Sequence, residues 1–132
     1  MKNCVFCKIV DGEIPCYKIY EDADFLGFLD IKPLNPGNSL LIPKKHFRWV
    51  YDVPNFGQYW QIAQKIALAS IKALDAQSIS FLTLGYEVPH AHIRIIPRFP
   101  ADAHQRGIDI SQIQNIDQPK MQTIAQKINR LI

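Results

Sequence analysis

The chain has 132 residues, of which 48% are hydrophobic and 20% charged, a balance that excludes disorder or a coiled coil over the whole length and suits one folded domain. Fifteen Lys and Arg against twelve Asp and Glu leave a formal charge of +3, too weak and scattered for a DNA-binding surface but compatible with a small anionic ligand. No apolar run approaches the roughly 18–20 residues a bilayer crossing needs and the N-terminus leads into no apolar signal core, so the expectation is a soluble, cytoplasmic protein with neither nucleic acid nor membrane as partner.

Residues 4–10 read as a short helix with Val5, Phe6 and Ile9 on one side, ended by Asp11-Gly12-Glu13-Ile14-Pro15. Cys4 and Cys7 form a C-x-x-C at its start. A redox pair, a metal half-site and two reduced thiols remain open readings. A half-site needs two more ligands, and the histidines on offer are His46, His90, His92 and His104. The odd count of three cysteines argues against a disulfide framework, and Cys16 is read as a packed or half-exposed thiol without a role.

Strands are expected at 17–20 and 25–29 with a turn at 21–24, then a breaker-rich loop over 31–38 and a third strand at 39–42, followed by Pro43-Lys44-Lys45-His46. The spacing of Tyr59, Ile62, Ile66, Ala69 and Ala73 predicts a long helix over 56–74 whose stripe is core or dimer surface, with Asn55 as N-cap and Gln58 completing a capping-box-like pair. A fourth strand at 78–84, a tight turn at Gly85-Tyr86-Glu87 and a fifth strand at 88–96 follow. Residues 100–117 read as an irregular extension. Pro119 then sits in the first turn of a last helix with Met121, Ile124, Ile128 and Leu131 on one face. Short strands in hairpin succession with one long helix imply an α+β fold on an antiparallel five-stranded sheet, and no glycine-rich phosphate loop of the Walker or Rossmann type is present.

Alternation along a fifth strand puts His90, His92 and Arg94 on one face, about 6.5 Å apart in sequence along it, and Pro89, Ala91, Ile93 and Ile95 on an apolar core face. A row of two imidazoles and a guanidinium suits an anion or a metal opposite it. The bland alternative is a solvated edge.

His90-Ala-His92-Ile-Arg94-Ile-Ile followed by Pro97-Arg98 resembles the histidine-triad (HIT) signature. Cys4-Val-Phe-Cys7-Lys-Ile, Phe28-Leu29-Asp30-Ile31-Lys32-Pro33 and Leu41-Ile42-Pro43-Lys44-Lys45-His46 are similar to the family's other landmarks, in its order. The resemblance covers 4–98. It implies a HIT domain over 1–100, with 101–132 as an extension of the same unit, and a nucleotide hydrolase or transferase acting at the α-phosphate. His92 takes the position of the family's nucleophile, and Arg94 stands where the third histidine would be, leaving a transferase or a nucleotide-binding module with weak turnover as alternatives. The resemblance further implies a pocket for an AMP-like purine nucleotide. In it Phe6, Ile9, Phe28 and Leu29 face the base and Asp30 the ribose. Gly85, Tyr86 and Glu87 occupy the turn that meets the phosphate, Tyr86 and Glu87 in place of the usual Gln and Ser. It implies a structural zinc on Cys4, Cys7, His46 and His90, and a homodimer. His104 has no counterpart and is expected to be a solvated loop residue.

Overall fold

The computed structural model describes residues 3–132. The chain runs α1 (Val5–Val10), β1 (Lys18–Glu21), β2 (Phe25–Leu29), β3 (Ser39–Pro43), a 3-10 turn at Val50–Asp52, α2 (Phe56–Leu74), β4 (Ser78–Leu82), β5 (Ile93–Arg98) and α3 (Gln118–Leu131). The strands form one antiparallel sheet in the order β1-β2-β3-β5-β4, so the α+β class with one long helix flanked by a short N-terminal and a C-terminal helix is the observed fold.

The sheet has two occupied faces, which is why β2 and β3 are buried at every position. On one face Phe25, Leu29, Leu41, Ile93 and Ile95 meet Tyr59, Ile62 and Ile66 of α2 and Met121, Ile124 and Ile128 of α3. On the other, Leu26, Phe28, Leu40 and Ile42 meet Cys4 and Phe6 of α1. Period-two alternation thus sorts β2 and β3 between a large core and a smaller one.

Several local expectations are corrected. The fifth strand begins at Ile93, not Val88. Pro89 has no N–H, and the bend before the strand is held by His90 N–H donating to Val88 O at 2.9 Å and Ala91 N–H to Phe47 O at 2.7 Å. Pro89 is exposed in that bend and does not reach the core, whereas Ala91 does. The fourth strand stops at Leu82. Asn55 stands at the N-cap of α2, but its ψ of 54° is not the extended conformation of a capping side chain and it makes no cap hydrogen bond. Leu131, at the end of α3, is 44% exposed.

His104 is not solvated. It is 4% exposed; its Nε2–H donates to Leu34 O at 2.8 Å and its Nδ1 accepts from Asp109 N–H at 3.1 Å. It belongs to a polar lock tying the irregular segment to the 31–38 loop. Asp102 accepts from Arg98 Nε at 2.9 Å and Nη2 at 3.1 Å, from Asn35 Nδ2 at 2.9 Å, and from the Phe99 and His104 backbone N–H groups. Gln114 N–H donates to Pro33 O at 2.7 Å. Gly37 seats the same loop against α2: its φ is +82°, and a Cβ there would lie 2.2 Å from Leu74 Cδ1, so any side chain would strain the backbone and displace Leu74.

The Arg98 guanidinium and the donated N–H groups hold the Asp102 carboxyl well below the usual carboxylate range. A depressed native pKa stabilises the fold fully above the unfolded value and loses that stabilisation as pH falls through the native one. Asp102→Ala is therefore expected to cost about 2–3 kcal/mol at neutral pH. In urea titrations the gap between wild type and variant should narrow as the pH drops below about 4.

Candidate active site and metal centre

Cys4 is the N-cap of α1 and its Sγ accepts the Cys7 N–H at 3.3 Å, so the C-x-x-C is set by the first turn of that helix. His46 follows β3, and His90 lies in the bend before β5. The donor atoms of Cys4, Cys7, His46 and His90 all lie within 4.8 Å of one another. Cys4 Sγ is 3.3 Å from His90 Nδ1, and Cys7 Sγ is 3.3 Å from His46 Nδ1 and 3.5 Å from His90 Nδ1. Around a tetrahedral zinc, sulfur and nitrogen ligands would stand about 3.6 Å apart, close to the three sulfur–nitrogen separations above.

His90 Nε2–H donates to Pro43 O at 2.8 Å, which leaves the Nδ1 lone pair for the cluster. Burial keeps the imidazoles neutral, the form that ligates: His90 is lowered to about 4 and His46 is lowered too. Burial, with Cys4 beside it, pushes the Cys7 thiol up to about 11. A thiolate here needs a cation, which is what a bound metal supplies. No disulfide joins the cysteines.

His92 is 4% exposed and meets the Phe6 ring edge-on at 5.2 Å between centroids. Its Nδ1–H donates to the His90 carbonyl at 2.8 Å, which fixes the tautomer and leaves Nε2 as an acceptor without a protein partner among the described residues. Burial lowers its pKa; the His90 carbonyl opposes this and the Arg94 charge adds to it.

His92 opens on a cleft of about 260 Å³, room for a small molecule rather than a polymer. Phe6, Ile9, Phe28 and Leu29 make its apolar wall, and Asp30, Glu87, His92 and Arg94 its polar end. One Asp30 oxygen accepts the Lys32 N–H at 2.9 Å, an Asx turn that aims the carboxylate; burial raises its pKa, with the Lys32 N–H and Arg94 opposing. Arg94 Nη2 stands 3.9 Å from Glu87 Oε2, while Arg94 Nε is buried with no partner among the described residues. A buried guanidinium with an unspent donor is costly unless something binds it. Of the expected site residues, eight therefore share this cleft and four share the metal cluster.

Gly85 and Tyr86 do not join them. They line a second cleft with Arg48, Trp49 and Tyr51, which reaches His92 as well. Gly85 has φ +76°, and a Cβ there would come within 3.2 Å of the Trp49 indole; only glycine lets the ring pack so close. Arg48 Nη1 donates to the Gly85 carbonyl. Sequence reading passed over Arg48 and Trp49 because they fall in an aperiodic stretch after His46. A basic residue interleaved with aromatics over 48–51 was the available signal. It also passed over Cys16, which lines the first cleft.

The HIT domain family matches residues 11–101. A HIT-like protein of Methanocaldococcus jannaschii is 34% identical over 122 residues, 86% of this chain and 92% of that protein. The adenosine 5′-monophosphoramidase of Schizosaccharomyces pombe is 33% identical, covering 80% of this chain and 81% of its own length. Among solved structures, a zinc-bound histidine triad protein from Mycobacterium smegmatis superposes with a TM-score of 0.83 at 30% identity, over 98% of this chain and 93% of the other. No helix among the described residues is long and apolar enough to cross a membrane.

Proposed function

We propose that this chain, which belongs to the HIT family, hydrolyses nucleotidyl conjugates at the α-phosphate, with His92 as the nucleophile. The observation that carries the reading is the His92 Nδ1–H bond to the His90 carbonyl, which leaves Nε2 free in a cleft that is apolar at one end and polar at the other, where Arg94 is beside it. The base of an AMP-like purine nucleotide lies against Phe6, Ile9, Phe28 and Leu29, and Asp30 accepts from the ribose hydroxyls through its second oxygen. Arg94 faces the phosphate oxygens. His92 Nε2 then bonds to phosphorus as the bond to the leaving group breaks, the leaving group keeping the electron pair. Water displaces the imidazole from phosphorus, giving the nucleoside monophosphate and restoring His92. The phosphoramidase among the relatives supports this class of substrate.

The Cys4, Cys7, His46 and His90 set fits zinc in a structural role. The metal would hold His90, whose carbonyl in turn orients His92. Two metal-binding thiolates suit a reducing compartment such as the cytoplasm. The outer side of α2 and the β4 edge expose Phe56, Leu68 and Phe81 with Trp60 between them. This is the face we assign to a homodimer.

Arg94 supports a second reading, a nucleotide-binding module with weak turnover. Arginine stays charged near neutral pH and gives no proton to a leaving amine. It binds ground and transition states alike, which lowers KM without raising kcat.

Purified protein should hold close to one zinc per chain, and Cys4→Ser should lose it and lower the Tm; metal-free protein with a Cys4–Cys7 disulfide would remove the assignment. His92→Gly should abolish AMP release from adenosine 5′-phosphoramidate while calorimetric AMP binding persists. Arg94→His should raise kcat on that substrate by up to about 10²-fold and weaken AMP binding; a fall in kcat would instead make Arg94 a transition-state stabiliser. Leu68→Glu should convert a dimer into monomer in sedimentation velocity.

A further inference from the structure

The second cleft, about 380 Å³, has His92 as the one lining residue it shares with the first. Its character is different. The Arg48 guanidinium stacks 3.8 Å over the Trp49 ring. Trp49 lies parallel to Tyr51 within 5° at 6.0 Å between centroids, and Tyr86 meets it edge-on at 5.7 Å. Tyr51 is 73% and Tyr86 80% exposed, so the fold gains little burial from either. Gly85 exists in a form that lets the indole approach, and its carbonyl holds the guanidinium. With one N–H spent there and one face on the indole, Arg48 keeps further donors for a ligand.

We propose that this cleft binds the leaving group of the substrate, and that the leaving group bears a flat aromatic ring next to an anionic group. This rests on the assignment of His92 above. A conjugate whose nucleoside fills the first cleft and whose phosphorus sits at His92 has its other substituent at the mouth of the second. The exposed rings of Tyr51 and Tyr86, backed by the half-buried Trp49, offer stacking to a ring, and Arg48 offers paired N–H donors to a phosphate or carboxylate. A small neutral amine would use neither feature. Both Arg94 and Arg48 are fixed cations, so the site stabilises a group that departs as an anion rather than one that needs a proton.

The test compares two substrates that break the same α–β anhydride: diadenosine triphosphate, which releases ADP, and the γ-methyl ester of ATP, which releases methyl diphosphate. Wild type should favour the first in kcat/KM by about tenfold. Tyr51→Ala and Tyr86→Ala should erase the preference by slowing only the ring-bearing substrate, while AMP affinity, which reads the first cleft alone, is unchanged. Arg48→Ala should slow both. The same ratio is read as binding affinity in His92→Gly by calorimetry, so absent turnover still leaves a result. Equal values for the two compounds, with AMP bound and released normally, overturn the leaving-group site and spare the His92 reading. No AMP binding and no turnover overturn the His92 reading itself. Replacing the flat ring of the leaving group by cyclohexyl in a phosphate ester series should cost as much as removing it; retention of the preference would reduce the cleft to a generic apolar surface.

Discussion

His90 is the residue on which the rest of the site depends, because three of its groups are committed at once. Its Nδ1 joins Cys4 and Cys7, its Nε2–H is fixed by the Pro43 carbonyl, and its own carbonyl takes the Nδ1–H of His92. Its ring is fully buried, with Phe6 against it at 5.9 Å. The Cys/His cluster and His92 are thereby joined through one backbone unit two residues long. Anything that loosens the cluster releases the carbonyl that sets the His92 tautomer. This couples the N-terminal helix to the reaction centre, although α1 sits at the other end of the chain from β5.

The sheet makes that coupling rigid. Side chains alternate from Ala91 through Ile95, so Ala91, Ile93 and Ile95 are sealed into the α2 core while His92 and Arg94 face the cleft. The alternation continues into the bend that precedes the strand, where ladder hydrogen bonds stop and the Phe47 carbonyl takes over. His92 is thus held by the core side of its strand and by the His90 carbonyl, with its Nε2 left open to the cleft. Functional groups carried next to a strand buried on both faces are positioned more closely than groups on a loop.

Much of this was legible in the sequence, for identifiable reasons. The long helix followed from a stripe at helical spacing, and Phe56–Leu74 is where it lies. The C-x-x-C on its own left three readings open, and only the resemblance to the HIT family implied His46 and His90 as its companions. What was illegible depends on tertiary contacts. His104 reads as a loop residue because its partners, Leu34 O and Asp109 N–H, are set by how the 31–38 loop meets the extension. Asn55 carries the residue type of a cap, but the backbone angle that lets it act as one is decided by the preceding 3-10 turn and Val53. Arg48 and Trp49 lacked any periodicity, and their meaning comes from Gly85, far along the chain.

The replacement of a histidine by Arg94 and the second cleft bear on one another. A site that cannot donate a proton must release leaving groups that are stable as anions, and the proposed role of Arg48 is to receive such a group. Glu87, 77% exposed and 3.9 Å from Arg94, balances the Arg94 charge when no ligand is bound. It is solvated enough to yield when a phosphate arrives. On this view Arg48, backed by Trp49, gives the departing anion the partner that Arg94, turned to the phosphate and paired with Glu87, does not.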